Sequence, residues 1–396
     1  MDRTDPSDTP FSDFLGFELL LPDQDRELLG CVRSFMTRQV EPIINDYWTR
    51  AEFPHEIIPA MAELGIAGLS YDGPGCPNRG GLVNGMVAME MSRIDPSIGT
   101  FMGVHGGLAM GSIQLCGSEE QKQRWLPAMA RMELIGAFGL TEPDIGSAIA
   151  GGLATSARRD GDDWVLDGEK KWIGNAAFAD LIIIWARDEA DGEVKGFVVE
   201  KDTPGMTFTK QEDKIALRVV QNAEIHMSGV RVPEANRLAG ANSFADTARV
   251  LRVTRMDVAW QATGCARGAF EHALSYTTRR EQLGKSIGSF QLVQDLLVKM
   301  LSNVTASIAM NVRTSQLQDA GSLKDEHASL CKVHSTVRMR ETVGWAREVL
   351  GGNGILLEHH VGRFVADSEA IYSYEGIREI NTLIVGRAIT GESAFV

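Results

Sequence analysis

Trp164-Val165-Leu166-Asp167-Gly168-Glu169-Lys170-Lys171-Trp172-Ile173 is the stretch on which the fold turns. Apolar residues flank an Asp-Gly pair on both sides, the pattern of two strands meeting at a tight turn, because glycine accepts the positive φ such turns require. Leu181 to Arg187 follows as a β-rich apolar run, and Gly196-Phe197-Val198-Val199 comes after a second turn signal, Asp191-Gly192. Val219 to Val232 adds further strand-like pieces. The hydrophobic period changes near Phe138, so residues 137–242 read as a compact β domain.

Outward from this segment the pattern is helical on both sides. In residues 1–136, Pro22 and the acids after it open a helix, and Gly117 to Pro127 reads as a capped helix that the proline ends. After residue 243, Phe290, Val293, Leu297, Met300 and Val304 recur at helical spacing and lay one apolar stripe along a long helix. Three more long helices fall around residues 246–280, 323–350 and 376–392. The expected fold is mainly α with a central β domain: an N-terminal all-helical domain (1–136), a β-barrel-like middle domain (137–242) and a C-terminal four-helix bundle (243–396).

Length and charge bound the function. A chain of 396 residues exceeds one small core. Its 39 Lys and Arg against 53 Asp and Glu give a formal charge of −14, which opposes contact with nucleic acid or an anionic membrane. Asp2, Asp5, Asp8 and Asp13 stand where a signal peptide carries basic and then apolar residues, and no apolar run approaches the ~20 residues that span a bilayer. A soluble, cytoplasmic protein is expected. The five cysteines are scattered, odd in number and without metal-ligand spacing, so they read as buried thiols with no metal site.

Five short stretches carry chemistry. Phe138-Gly139-Leu140-Thr141-Glu142-Pro143, running on to Ser147, exposes backbone N–H groups beside two hydroxyls where helix gives way to strand; it is equally a Gly-Pro loop. Trp172-Ile173-Gly174 offers an indole face to a planar ring, or to a core. Arg279-Arg280-Glu281-Gln282-Leu283-Gly284, with Phe290-Gln291 after it, suits a pyrophosphate or an ordinary helix end. Leu350-Gly351-Gly352-Asn353-Gly354 permits close approach of a nucleotide or caps a helix. Tyr374-Glu375-Gly376 places a carboxylate at the mouth of an apolar helix, where desolvation would poise it as a base.

Taken together, in this order and spacing, the five stretches resemble the acyl-CoA dehydrogenase family of flavoproteins, with likeness to its glutaryl-CoA dehydrogenase and short-chain acyl-CoA oxidase branches. The resemblance covers residues 20–395. It implies FAD between the β domain and the bundle, contacted by Phe138, Leu140, Thr141, Ser147, Trp172, Ile173 and Gly174. Arg280, Gln282, Gln291, Glu348, Leu350, Gly351, Gly352 and Ile377 would meet the nucleotide half, several of them from a neighbouring subunit, so a homo-oligomer, usually a tetramer, is implied. Glu375 would take the α-proton of an acyl-CoA while the β-hydride leaves for flavin N5, giving a trans-2-enoyl-CoA. Gly99, Thr100, Ser147, Arg252, Arg255 and Gly376 would line the substrate, and electrons would pass to an electron-transfer flavoprotein.

The chain departs from the family at several points. Gly99 replaces the arginine that glutaryl-CoA dehydrogenases use for the distal carboxylate, so a short or medium monocarboxylic chain without decarboxylation is expected, since a buried carboxylate without a cation is costly. Gly174 replaces a Thr or Ser near flavin N5, which would open room for O₂ and keeps an oxidase reading in play. Glu348 and Ile377 stand for Gln and Thr, and Ala148 for an acid. A catalytically silent DNA-binding or scaffold flavoprotein is the third reading, disfavoured by the charge and by Glu375.

Overall fold

A computed structural model describes residues 12–395; the acids Asp2, Asp5 and Asp8 and the terminal Val396 lie outside them. Six principal helices come first: α1 (Asp23–Phe35), α2 (Glu41–Arg50), α3 (Gly80–Ile94), α4 (Pro96–Met102), α5 (Met110–Cys116) and α6 (Glu119–Ala130). Ser118 and Gln121 form a reciprocal capping box at the start of α6. Pro127 does not end that helix, which runs one turn further because buried Leu126 and Met129 pull the turn into the core.

Seven strands follow: β1 (Gly136–Gly139), β2 (Ser156–Asp160), β3 (Asp163–Ile173), β4 (Leu181–Asp188), β5 (Val194–Glu200), β6 (Met206–Lys210) and β7 (Ala223–Pro233). The order is β1-β4-β2-β3-β7-β6, with β5 also on β4. The Leu181–Arg187 run is β4, paired parallel to β1 and antiparallel to β5 across the Asp191-Gly192 turn. The Asp167-Gly168 turn expected from the sequence is absent: β3 is one strand of eleven residues, and its register against β7 shifts between Leu166 and Gly168. A Cβ on Gly168 would lie 2.7 Å from Thr155 Cα, so this glycine admits a neighbouring backbone and does not reverse the chain. The hairpin sits earlier, at Gly161 between β2 and β3.

The last third is helical: α7 (Phe244–Arg279), α8 (Gln291–Asp319), α9 (Asp325–Val349), α10 (Val361–Ser373) and α11 (Arg378–Thr390). Helix α10 supplements the four that periodicity predicts. The α8 stripe is buried at Met300 and Val304 and only half-buried at Val293 and Leu297. Cys116, Cys265 and Cys331 are buried as expected, whereas Cys76 is half-buried and Cys31 exposed. His105 joins the helices to the sheet: its Nδ1 accepts from the Gly136 N–H at 3.0 Å, so its Nε2–H faces the Met129 carbonyl. Burial holds this imidazole's pKa down to about 4, which keeps it neutral and the bond intact.

Candidate active site

Glu375 lies in the short link between α10 and α11. Helix α10 ends at Ser373, and the chain turns through left-handed residues at Glu375 (φ 50°) and Gly376 (φ 85°) before α11 begins. A non-glycine residue there costs on the order of 1 kcal/mol and persists only where its surroundings enforce it. Lys332, on α9 and almost fully buried, enforces it: its ammonium donates to the carbonyls of Tyr374, Glu375 and Gly376. Asn381 donates to the Gly376 carbonyl at 2.8 Å, and the Tyr374 hydroxyl donates to Gln261 on α7.

The carboxylate itself is aimed into the protein. Glu375 Oε2 is buried and has no hydrogen-bond partner among the described residues. Burial raises its pKa, while Lys332, the Thr254 hydroxyl and Arg255 work in the opposite direction. Burial brings Lys332 down to about 7, with Glu375 partly restoring it. Burial lowers the pKa of Arg255, whose Nε is buried without a partner among the described residues and whose guanidinium lies 3.7 Å from Asp325; Arg252 holds the same carboxylate at 2.8 and 3.2 Å. A carboxylate with one free buried oxygen, a raised pKa and two cations nearby has the electrostatics of a general base.

Beyond Glu375 is a small cavity between α3, α4, α7 and the helical segment Gly103–Ala109, lined in part by Gly99, Gly106, Gly107, Asp257 and Gln261. Gly99 is packed against α3: a Cβ there would stand 2.1 Å from Ser92 Oγ. Thr100 is buried, donating to the Pro96 carbonyl at 2.8 Å and lying beside the Tyr374 hydroxyl. Gly174 is buried too, and a Cβ on it would meet Val104 Cγ2 at 3.0 Å. A side chain at this position would press on Val104.

The sheet presents a second group of residues. Phe138 and Leu140 are buried at the end of β1, Thr141 is half-buried and Ser147 exposed. Glu142 pins this loop: it pairs with fully buried Lys170 at 2.8 Å and accepts from the Ala154 and Thr155 N–H groups. Ile173 is buried, while Trp172 takes φ 64° and leaves 58 % of its surface exposed. A left-handed, exposed tryptophan at a strand end is strained and wet at once, as ligand-facing residues are.

A third group gathers at the far end of the bundle. Arg280 closes α7, Gln282 sits in a small hairpin (Glu281–Gln282 with Lys285–Ser286), Gln291 opens α8, and all three are exposed. Asn353 bonds the Tyr276 hydroxyl at 2.9 Å, which ties the Leu350-Gly351-Gly352 turn to this end of α7. Among the described residues, nothing lies within 4 Å of where a Cβ on Gly351 or Gly352 would stand. Glu348 is exposed, whereas Ile377, 38 % exposed, follows Gly376 at the Glu375 end and stands apart from this group. Thr254, at Glu375, and Tyr276 are six turns apart on α7, roughly 33 Å at 1.5 Å per residue.

Residues 22–133, 137–230 and 244–390 match the models of the acyl-CoA dehydrogenase N-terminal, middle and C-terminal domains. The chain belongs to the acyl-CoA dehydrogenase family. Among relatives of this acyl-CoA dehydrogenase family member, a 3-(aryl)acrylate reductase of Clostridium sporogenes (strain ATCC 15579) is 31% identical, over 93% of this chain and 98% of its own. Glutaryl-CoA dehydrogenase from Mycobacterium smegmatis superposes with TM-score 0.93 at 39% identity, covering 97% of this chain and 99% of that one. A structure of a glutaryl-CoA dehydrogenase from that organism in complex with FADH2 gives TM-score 0.93 at 34% identity, covering 97% and 98%. The protein is an FAD-dependent oxidoreductase of this family. Its residues fit the cofactor: the exposed Trp172 indole suits a flat ring, and the bare backbone at Gly351 and Gly352 suits a pyrophosphate.

The sequence named Glu375, Arg255 and the groups above as candidates, and it did not point to Lys332, Thr254, Asn84, Asp257 or Gln261, which the structure brings near Glu375 or the cavity. Thr254, Asp257 and Gln261 fall at i, i+3 and i+7 along α7, all three buried. That polar stripe was a readable signal.

Proposed function

We propose that the protein catalyses α,β-dehydrogenation of a short or medium monocarboxylic acyl-CoA to the trans-2-enoyl-CoA, with Glu375 as the base that removes the α-proton. The observation that carries this is the buried, unpartnered Oε2 of Glu375, held on a strained turn by Lys332. A carboxylate fixed in this way loses little entropy on reaching a substrate C–H. Because burial raises its pKa, it is a stronger base than a surface glutamate and accepts the proton more readily. The Glu375 N–H would face the thioester oxygen, a donor worth about 2.7–4 kcal/mol in sites of this kind. Arg255, with Arg252 fixing Asp325 beside it, would steady the negative charge.

When bound, FAD supplies the hydride acceptor. Phe138, Leu140, Thr141, Ser147, Trp172, Ile173 and Gly174 would hold its ring half. Arg280, Gln282, Gln291 and Leu350 to Gly352 gather near Tyr276, ~33 Å along α7 from Thr254. They would serve a neighbouring subunit, which supports the homo-oligomeric reading; an electron-transfer flavoprotein would be the acceptor. A side chain at Gly99 would press on the Ser92 hydroxyl, and among the described residues no cation lines the cavity, which supports a non-decarboxylating reaction. Val104 beside Gly174 weighs against the oxidase.

Incubating the FAD-loaded enzyme with butyryl-CoA, glutaryl-CoA and an artificial electron acceptor tests this reading. Crotonyl-CoA from butyryl-CoA, without hydrogen peroxide under air, is expected. Faster crotonyl-CoA formation from glutaryl-CoA, with CO₂, would overturn the monocarboxylic assignment.

A further inference from the structure

The cavity past Glu375 is not the plain apolar slot that an alkyl chain would want. Thr254, Asp257 and Gln261 line one face of α7, so Asp257 stands one turn and Gln261 two turns beyond the residue that touches Glu375, roughly 4.5 and 10 Å along the axis. Gly107 confirms the order, since a Cβ on it would lie 3.6 Å from Thr254 and 2.9 Å from Asp257 Oδ2. Glycines at 68, 99, 103, 106 and 107 leave the opposite wall bare. Asp257 is more than nine-tenths buried, and Asn84 on α3 donates to its Oδ1 at 2.7 Å. Its second oxygen therefore lies against the glycine wall of this cavity. A purely apolar specificity needs neither a carboxyl nor its amide partner here, and burying both against a methyl group would leave them underused.

We propose that Asp257, oriented by Asn84, is a specificity-determining residue that hydrogen-bonds a polar group on the acyl chain near its fourth carbon. The substrate class is then a short acyl-CoA carrying a hydroxyl or an ammonium group at that position. This rests on the dehydrogenase reading above and sharpens it. Burial, and the Glu375 charge after it, raise the Asp257 pKa to about 8, so at neutral pH it meets a hydroxyl as a neutral acid whose Oδ2–H donates to the hydroxyl oxygen, whereas beside an ammonium it loses its proton to solvent and accepts as a carboxylate. A distal carboxylate would face Asp257 and Glu375 together with no cation in the cavity lining.

The test compares kcat/KM of the FAD-loaded wild type for 4-hydroxybutyryl-CoA, 4-aminobutyryl-CoA and butyryl-CoA, then repeats the series with Asp257→Leu. Wild type is expected to favour at least one of the polar substrates by ~10-fold or more, and which one wins tells hydroxyl from ammonium. Asp257→Leu is expected to reverse the preference, with kcat/KM for butyryl-CoA rising. A fully active wild type that prefers butyryl-CoA to both polar analogues overturns the inference while the dehydrogenase reading stands. Failure to oxidise any of the three overturns the reading itself, and the inference with it. The wild-type series decides even where Asp257→Leu does not fold.

Discussion

At the scale of single residues, Lys332 links structure to chemistry twice. Its ammonium holds the Glu375 turn through three carbonyls, and its charge favours the ionised carboxylate. Lys332→Met removes a positive charge, so the Glu375 pKa should rise. The acid limb of the kcat–pH profile should then move to higher pH, with kcat at neutral pH falling by about 10–100-fold. A fall in kcat with an unmoved acid limb would reduce Lys332 to a structural prop. Gly376→Ala should cost about 1 kcal/mol or more in urea unfolding, because φ 85° is strained for alanine and its Cβ would press on Asn381. Glu375 was legible because a carboxylate between an aromatic ring and a glycine is a local pattern. Lys332 and Asp257 were not, because each sits mid-helix, where only the tertiary neighbours show that a charge is buried.

At the scale of elements, an ionic cluster ties α1, α3 and α7 together. Glu90 of α3 lies 2.6 Å from Arg93, 3.2 Å from Arg33 and 3.8 Å from Arg267, and is fully buried. Burial alone would raise its pKa, but Arg93, Arg267 and Arg33 outweigh that and bring it down to about 2 from 4.5. A depressed carboxyl pKa adds stability that is complete above pH 4.5 and is lost as pH falls toward 2. Glu90→Gln should therefore destabilise by about 3–5 kcal/mol at pH 7, and the gap to wild type in urea unfolding should close between pH 4.5 and 2. A gap independent of pH would mean the loss is one of packing. Helix and strand identities were readable from period, as α8 and β4 show. The Asp167-Gly168 hairpin was misplaced because the same dipeptide serves a turn or a bulge, and only Thr155 across the sheet decides which.

At the scale of the whole molecule, the three domains repeat the helix–sheet–helix order read from the sequence, yet no single chain brings Trp172 and Arg280 to one flavin in the proposed scheme. Leu283 is 90% exposed and Leu292 82%, both at the bundle end where the nucleotide residues gather. Exposed apolar groups beside a polar rim mark a contact surface. The double variant Leu283→Asp, Leu292→Asp should shift the sedimentation coefficient to smaller species and release FAD together. Dissociation with FAD fully retained would place the whole cofactor site within one chain. Periodicity could not show this, because an outward leucine reads the same as an inward one until the fold is known.

The account depends on Glu375 being the base. Rapid anaerobic mixing of FAD-loaded wild type and Glu375→Gln with saturating acyl-CoA, followed by flavin bleaching, measures this step directly. Bleaching should slow by about 10²–10⁴-fold in the variant while FAD stays bound. Bleaching at the wild-type rate would contradict the account and assign the proton to another residue.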